Sequence, residues 1–75
     1  MSRRFSRAQA RAIGDSLHVR WAKVDLDEFR RGLHVELEHR DVTHGSLELT
    51  AKIALAHLRE LPDYYTRLTR MEKHR

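Results

Sequence analysis

Two short spacings in this 75-residue chain could do chemistry: Glu36-x-x-His39 and His57-x-x-Glu60. Each puts a carboxylate and an imidazole one helical turn apart, on the same side of a helix. Facing each other across two helices, Glu36, His39, His57 and Glu60 would present a mixed nitrogen and oxygen donor set, which suits iron, manganese or zinc. Di-iron helical bundles use the same Glu-x-x-His unit, but they need four long helices and further glutamates, and this chain is too short for either. The alternative is structural: a His–Glu pair beside an apolar face is satisfied by bonding to itself or to a backbone carbonyl, and so holds two helices in register without a ligand. A structural polar seam is therefore the default reading, and a divalent-metal site the sharper alternative.

Nothing else in the chain suggests catalysis. There is no cysteine, no serine placed beside a base and no glycine-rich phosphate loop, so a non-enzymatic protein is expected. His18, His34, His44 and His74 read as surface residues, with His44 in a turn.

The net charge of +4 is concentrated. Arg3, Arg4, Arg7 and Arg11 precede the first acid, Asp15, and equal the whole excess. Arg67, Arg70, Lys73 and Arg75 make the other end basic as well. The four N-terminal arginines are the candidate phosphate contacts, and nucleic-acid binding through the basic ends is a further alternative. Against it, Arg30 and Arg31 are interleaved with Glu28 and Glu38, which makes a poor phosphate track. No apolar run follows the first residues and none approaches the ~20 residues of a membrane span, so a soluble, cytoplasmic protein is expected.

The elements that must position these residues are helical. Ser6 and Gln9 fit a capping box, followed by Ala10, Ile13 and Leu17 on a narrow apolar stripe. Residues 18–24 alternate Val19 and Trp21 with polar side chains, which predicts a short extended connector with Trp21 as a core plug. Asp25 and Glu28 make a second capping box ahead of Leu26, Phe29, Leu33 and Leu37, and Gly32, Glu36 and His39 form a stripe beside that face. Gly32 would let another helix come close. After a turn over 41–46 that pivots on Gly45, Ser46 caps a third helix carrying Ala51, Ala54, Leu55, Leu58 and Leu61. Pro62 ends it and suits the first turn of a fourth helix, whose apolar face is Tyr64, Tyr65, Leu68 and Met71. The fold expected is all-α, a compact bundle of about four short helices with a central antiparallel hairpin. It forms one domain over residues 1–75, frayed at 1–5 and 73–75.

Two stretches also carry a resemblance. Glu28-Phe29-Arg30-Arg31-Gly32-Leu33 with Val35-Glu36-Leu37-Glu38-His39, and Thr50-Ala51-Lys52-Ile53-Ala54-Leu55-Ala56-His57-Leu58-Arg59-Glu60-Leu61-Pro62-Asp63-Tyr64-Tyr65, resemble the blocks "EFxxGLxVELEHG" and "TGKIAxAHLxExPDYYxxL" of the DUF5661 family. This is a small bacterial and phage family of unknown function. The resemblance spans roughly residues 10 to 72. Arg40 and Ala51 stand where the family usually has glycine, and the turn between the blocks is shorter here. The resemblance implies a helical fold and no activity.

Taken together, the sequence reads as a small helical binding or interaction protein with a Glu/His seam between its second and third helices. Asp63, Tyr64 and Tyr65 form a structural or interaction corner, and a protein partner or a second copy in a homodimer would complete its apolar surface.

Overall fold

A computed structural model describes residues 5–38 and 46–73, with side chains as far as Met71. Four helices run through these residues: α1 Arg7–Ser16, α2 Leu26–Leu37, α3 Leu47–Glu60 and α4 Tyr64–Lys73. No strand occurs among the described residues. No helix among them is long and apolar enough to cross a membrane. The predicted turn residues 41–45, with His44 and Gly45, lie outside the described residues, as do Arg3, Arg4, His39 and His74.

α2 is the organising element. α1, α3 and α4 all pack on it, α3 most extensively. Its apolar positions Phe29, Leu33 and Leu37 recur every four residues and are buried against Ala51, Ala54 and Leu58 of α3. Small residues set the spacing of the layers. A Cβ at Gly32 would sit 2.6 Å from Tyr65 Cε2 and 2.9 Å from Ala54 Cβ, so the bare α-carbon there is what admits α4 and α3.

The helix starts follow their local chemistry. Ser6 and Gln9 form the reciprocal capping box, at 3.1 and 2.8 Å. Ser46 caps α3 through the Leu49 amide at 3.3 Å. At α2 only half of the expected box exists: Asp25 accepts from the Glu28 amide at 3.0 Å, but the Glu28 side chain goes elsewhere.

The connector after α1 differs from the extended segment that alternation predicts. It is a pair of turns, in which Lys23 and Val24 both donate to the Arg20 carbonyl at 2.9 and 3.1 Å. Trp21 is half-buried instead of plugging the core. Its ring lies over Gly14 and meets Phe29 edge-on, and its indole N–H donates to Asp15 at 2.8 Å. An indole needs a polar partner for its N–H, and a site at the rim supplies one where a core centre would not.

Two more expectations are corrected. Phe5 falls in the end expected to fray, although its place just before the Ser6 cap also suits it to staple the helix entry, and it is only 6% exposed. Its amide donates to His34 Nε2 at 2.9 Å, its carbonyl accepts from Arg30 Nε at 2.7 Å, and its ring stacks on the His34 imidazole. His34 is therefore half-buried rather than a surface residue. Met71, expected on the apolar face of α4, is 71% exposed, and Pro62 lies in the turn before α4, outside its first helical turn.

α1 ends in a Schellman arrangement. Val19 donates to the Gly14 carbonyl at 3.0 Å and His18 to the Asp15 carbonyl at 3.1 Å, with His18 at φ 60. That left-handed position normally takes glycine, because a Cβ there costs roughly 1 kcal/mol. His18→Gly is expected to raise stability by about 0.5–1 kcal/mol in urea unfolding; an unchanged or lower midpoint would show that the histidine side chain compensates for its backbone.

Candidate functional site

The polar seam of α2 converges on one residue of α4. Glu28, Gly32 and Glu36 stand four residues apart, so they line one edge of α2. All three engage Tyr65. Glu28 Oε2 accepts from the Tyr65 amide at 3.1 Å, Gly32 makes room for the Tyr65 ring, and Glu36 Oε2 accepts from the Tyr65 hydroxyl at 2.8 Å. Tyr65 is 1% exposed.

The lower end of this stripe is a cap supplied in trans. The first amides of any helix lack intrahelical acceptors. Here the Tyr64 amide is answered by the Leu61 carbonyl at 3.0 Å, and the Tyr65 and Thr66 amides by Glu28 Oε2 at 3.1 and 3.2 Å. The Thr66 hydroxyl also donates to the other Glu28 oxygen and accepts from Arg31 at 3.2 Å. A carboxylate on α2 that is only 7% exposed thus does for α4 what an N-cap residue does locally, with its charge on the positive end of the helix. Asp63, immediately before α4, pairs instead with Arg67 at 2.8 Å.

At the upper end, Glu36, His57 and Tyr65 form a triad. His57 Nδ1 is 3.2 Å from the Tyr65 oxygen and 3.3 Å from Glu36 Oε2. The tyrosine has one proton and donates it to Glu36, so both neighbours of Nδ1 are acceptors and Nδ1 carries the hydrogen. Tyr64 stacks on the outer face of the His57 ring at 4.6 Å and meets Tyr65 edge-on. Burial first, and then the hydrogen bond and charge of Glu36, push the Tyr65 hydroxyl well above its ordinary value of 10.0. The folded state therefore holds this proton to higher pH than the unfolded chain does.

Of the four residues picked as ligands, the structure brings together Glu36 and His57. Glu60 is exposed, and His39 lies outside the described residues. Among the described residues, no group of three or more His, Asp or Glu is placed to hold a metal ion, and no buried side-chain nitrogen or oxygen lacks a hydrogen-bond partner. Of the arginines picked for phosphate, Arg7 is engaged by Asp27 at 3.2 Å and Arg11 is exposed. The corner residues divide: Tyr65 is structural, while Tyr64 is half-buried and Asp63 pairs with Arg67.

Sequence reasoning missed Glu28, assigning it to its own helix. No sequence signal marked this, since Asp63 stands before α4 as a capping residue type and only the structure shows its carboxylate turned to Arg67. Sequence reasoning also missed a hollow of about 380 Å³ on the other side of α3, between the end of α1, the 18–24 turns and the C-terminal half of α3. Its lining mixes apolar side chains with basic ones and includes no acid.

The family described as protein of unknown function (DUF5661) matches residues 10–74, and the chain belongs to it. No curated protein and no solved structure matches the chain.

Two outcomes test this geometry. Glu28→Ala removes the cap and strands the Thr66 hydroxyl and two amides, so a loss of about 2–4 kcal/mol is expected, with helical signal lost from α4 first; Glu28→Gln, which keeps an acceptor, should cost less. If Glu28→Ala melts like the parent, the trans cap carries no energy. The alkaline limb tests Tyr65. The unfolded chain releases the Tyr65 proton near pH 10 and the folded chain keeps it, so above pH 10 the unfolded state binds fewer protons and stability falls as pH rises. The contribution is full below pH 10 and is lost at about 1.4 kcal/mol per pH unit above it. Tyr65→Phe should start less stable and show a slope shallower by that amount; an identical slope would contradict the assignment.

Proposed function

We propose that this chain is a small non-catalytic binding module in which the Glu36–His57–Tyr65 triad locks α2, α3 and α4 together instead of performing chemistry. The observation that carries the reading is the closure of the seam. A nucleophile needs an adjacent base that can take its proton, whereas the Tyr65 hydroxyl beside the His57 ring meets its Nδ1 hydrogen; the lone pair left on Nε2 has no hydroxyl bonded to it among the described residues. Here the Tyr65 proton is given to Glu36, and the Nδ1 hydrogen of His57 is given to the same two oxygens. Glu28 is consumed in the same manner by α4. Polar groups so committed stabilise position, and removing one partner costs more than the bond was worth, because the other is left buried and unmatched. Uncommitted chemistry lies elsewhere on the surface, in the hollow beside α1, and a protein of this kind acts by what it holds.

The second reading is a divalent metal held at the seam. It rests on the approach of His57 to Glu36 at 3.3 Å. Iron, manganese or zinc would have to displace the Tyr65 hydroxyl from Glu36 and recruit further donors, with His39 and Glu60 each three positions along from Glu36 and His57.

Metal analysis of untagged protein separates the two. On the binding-module reading the purified chain carries no stoichiometric metal, chelator leaves its melting temperature unchanged, and His57→Ala lowers stability by about 1–2 kcal/mol through the lost bond and the lost Tyr64 stack. One equivalent of iron, manganese or zinc that vanishes in His57→Ala would overturn it in favour of the metal site.

A further inference from the structure

The hollow between α1 and α3 has a divided lining. Leu17, Val24, Leu55 and Leu58 supply an apolar floor, while Arg20, Lys23 and Arg59 stand around it, all exposed. None of these three cations forms an ion pair or a side-chain hydrogen bond with another described residue. Of the acids nearest in sequence, Asp15 is engaged by the Trp21 indole, Asp25 by the α2 amide it caps and Asp63 by Arg67, while Glu60, next to Arg59, is exposed and is not among the residues that line the hollow. Of the other described cations, Arg7, Lys52 and Arg67 have a carboxylate partner and Arg30 and Arg31 a neutral one; Arg11 and Arg70 are likewise exposed without a partner among the described residues, but neither lines the hollow. Cations gathered without a counter-charge around a low-dielectric surface repel one another and concentrate anions. The backbone adds a second mark. His18, which also lines the hollow, is the residue at φ 60, a strained position of the kind retained where function needs it.

We propose that this hollow binds a single-chain anionic amphiphile, its acyl or aryl body on the leucine–valine floor and its carboxylate or phosphate head among Arg20, Lys23 and Arg59. The size agrees: about 380 Å³ falls within the range of small-molecule pockets and leaves no room for a two-chain lipid. Arginine suits the head group because its planar fork meets a carboxylate or phosphate through two hydrogen bonds at once. The inference rests on the reading of the chain as a binding module, and it names where the ligand sits and what it is.

Titration of the full chain with decanoate, below its micelle concentration, tests the assignment, read by the fluorescence of Trp21 between Arg20 and Lys23. Saturable binding of one equivalent is expected, with decyl phosphate comparable and decanol and decyltrimethylammonium at least tenfold weaker. Arg20→Glu and Arg59→Glu should each weaken decanoate at least tenfold. Arg70→Glu, which makes the same charge change on α4, should leave binding as it was. All three sites are exposed, so melting curves should show these variants folded. Absence of saturation, equal binding of decanol, or an equal loss in Arg70→Glu would overturn the proposal. Failure here with a metal-free, intact seam removes the ligand assignment alone, whereas stoichiometric metal at His57 removes the reading beneath it.

Discussion

One side chain constrains this fold more than any other: Tyr65, held at three points by a single edge of α2. Its amide is fixed by Glu28, its ring by the space at Gly32 and its hydroxyl by Glu36. Three contacts spaced over two helical turns determine the position, rotation and tilt of α4 together, because no rigid motion of the tyrosine preserves all three. His57 then adds α3 to the same point. A domain of this size is only marginally stable on apolar packing, and it has no cysteine to form a disulfide. The polar network around Tyr65 adds to the apolar core, with no buried side-chain nitrogen or oxygen among the described residues left unpartnered.

The opposite edge of α2 applies the same logic to the N-terminal segment. Arg30 and His34, again four residues apart, grasp the carbonyl, amide and ring of Phe5. α2 therefore reads as a central rod with an apolar face for α3 and a polar grip on either flank. That explains its unusual content, with a buried glutamate and a half-buried histidine in a twelve-residue helix. Exposed ion pairs such as Lys52–Glu48 add little beside these contacts, since solvent screens them.

How much of this could be read in the sequence depended on range. Helix number, the Ser6 and Ser46 caps and the close approach at Gly32 were legible, because each depends on residues a few positions apart or on one missing side chain. The family blocks were legible too. Glu28 was misread for an instructive reason: Asp25-x-x-Glu28 is a valid local box, and only the presence of α4 decides that the carboxylate turns outward to a distant helix. The Glu36 and His57 pair was legible as a structural seam, with a metal site as the alternative; spacing reveals which face a residue occupies and not that the Tyr65 hydroxyl is the group that closes it. Periodicity placed Tyr64, Tyr65 and Leu68 correctly and failed at Met71. Residues 18–24 showed alternation, yet two consecutive turns on the Arg20 carbonyl produce it as well as a strand does.

The trans cap has a consequence for how the chain acquires its shape. Ten residues are fewer than the ~12–15 an isolated helix needs to persist in water, and α4 starts without a cap of its own. Its helicity is therefore conditional on a carboxylate 37 positions away in the chain. α4 cannot form ahead of its docking, and its amides should open to solvent as one block whenever it leaves α2, so that folding of this segment and its assembly onto the domain are a single event. The helix is, in that sense, encoded on the surface of its neighbour.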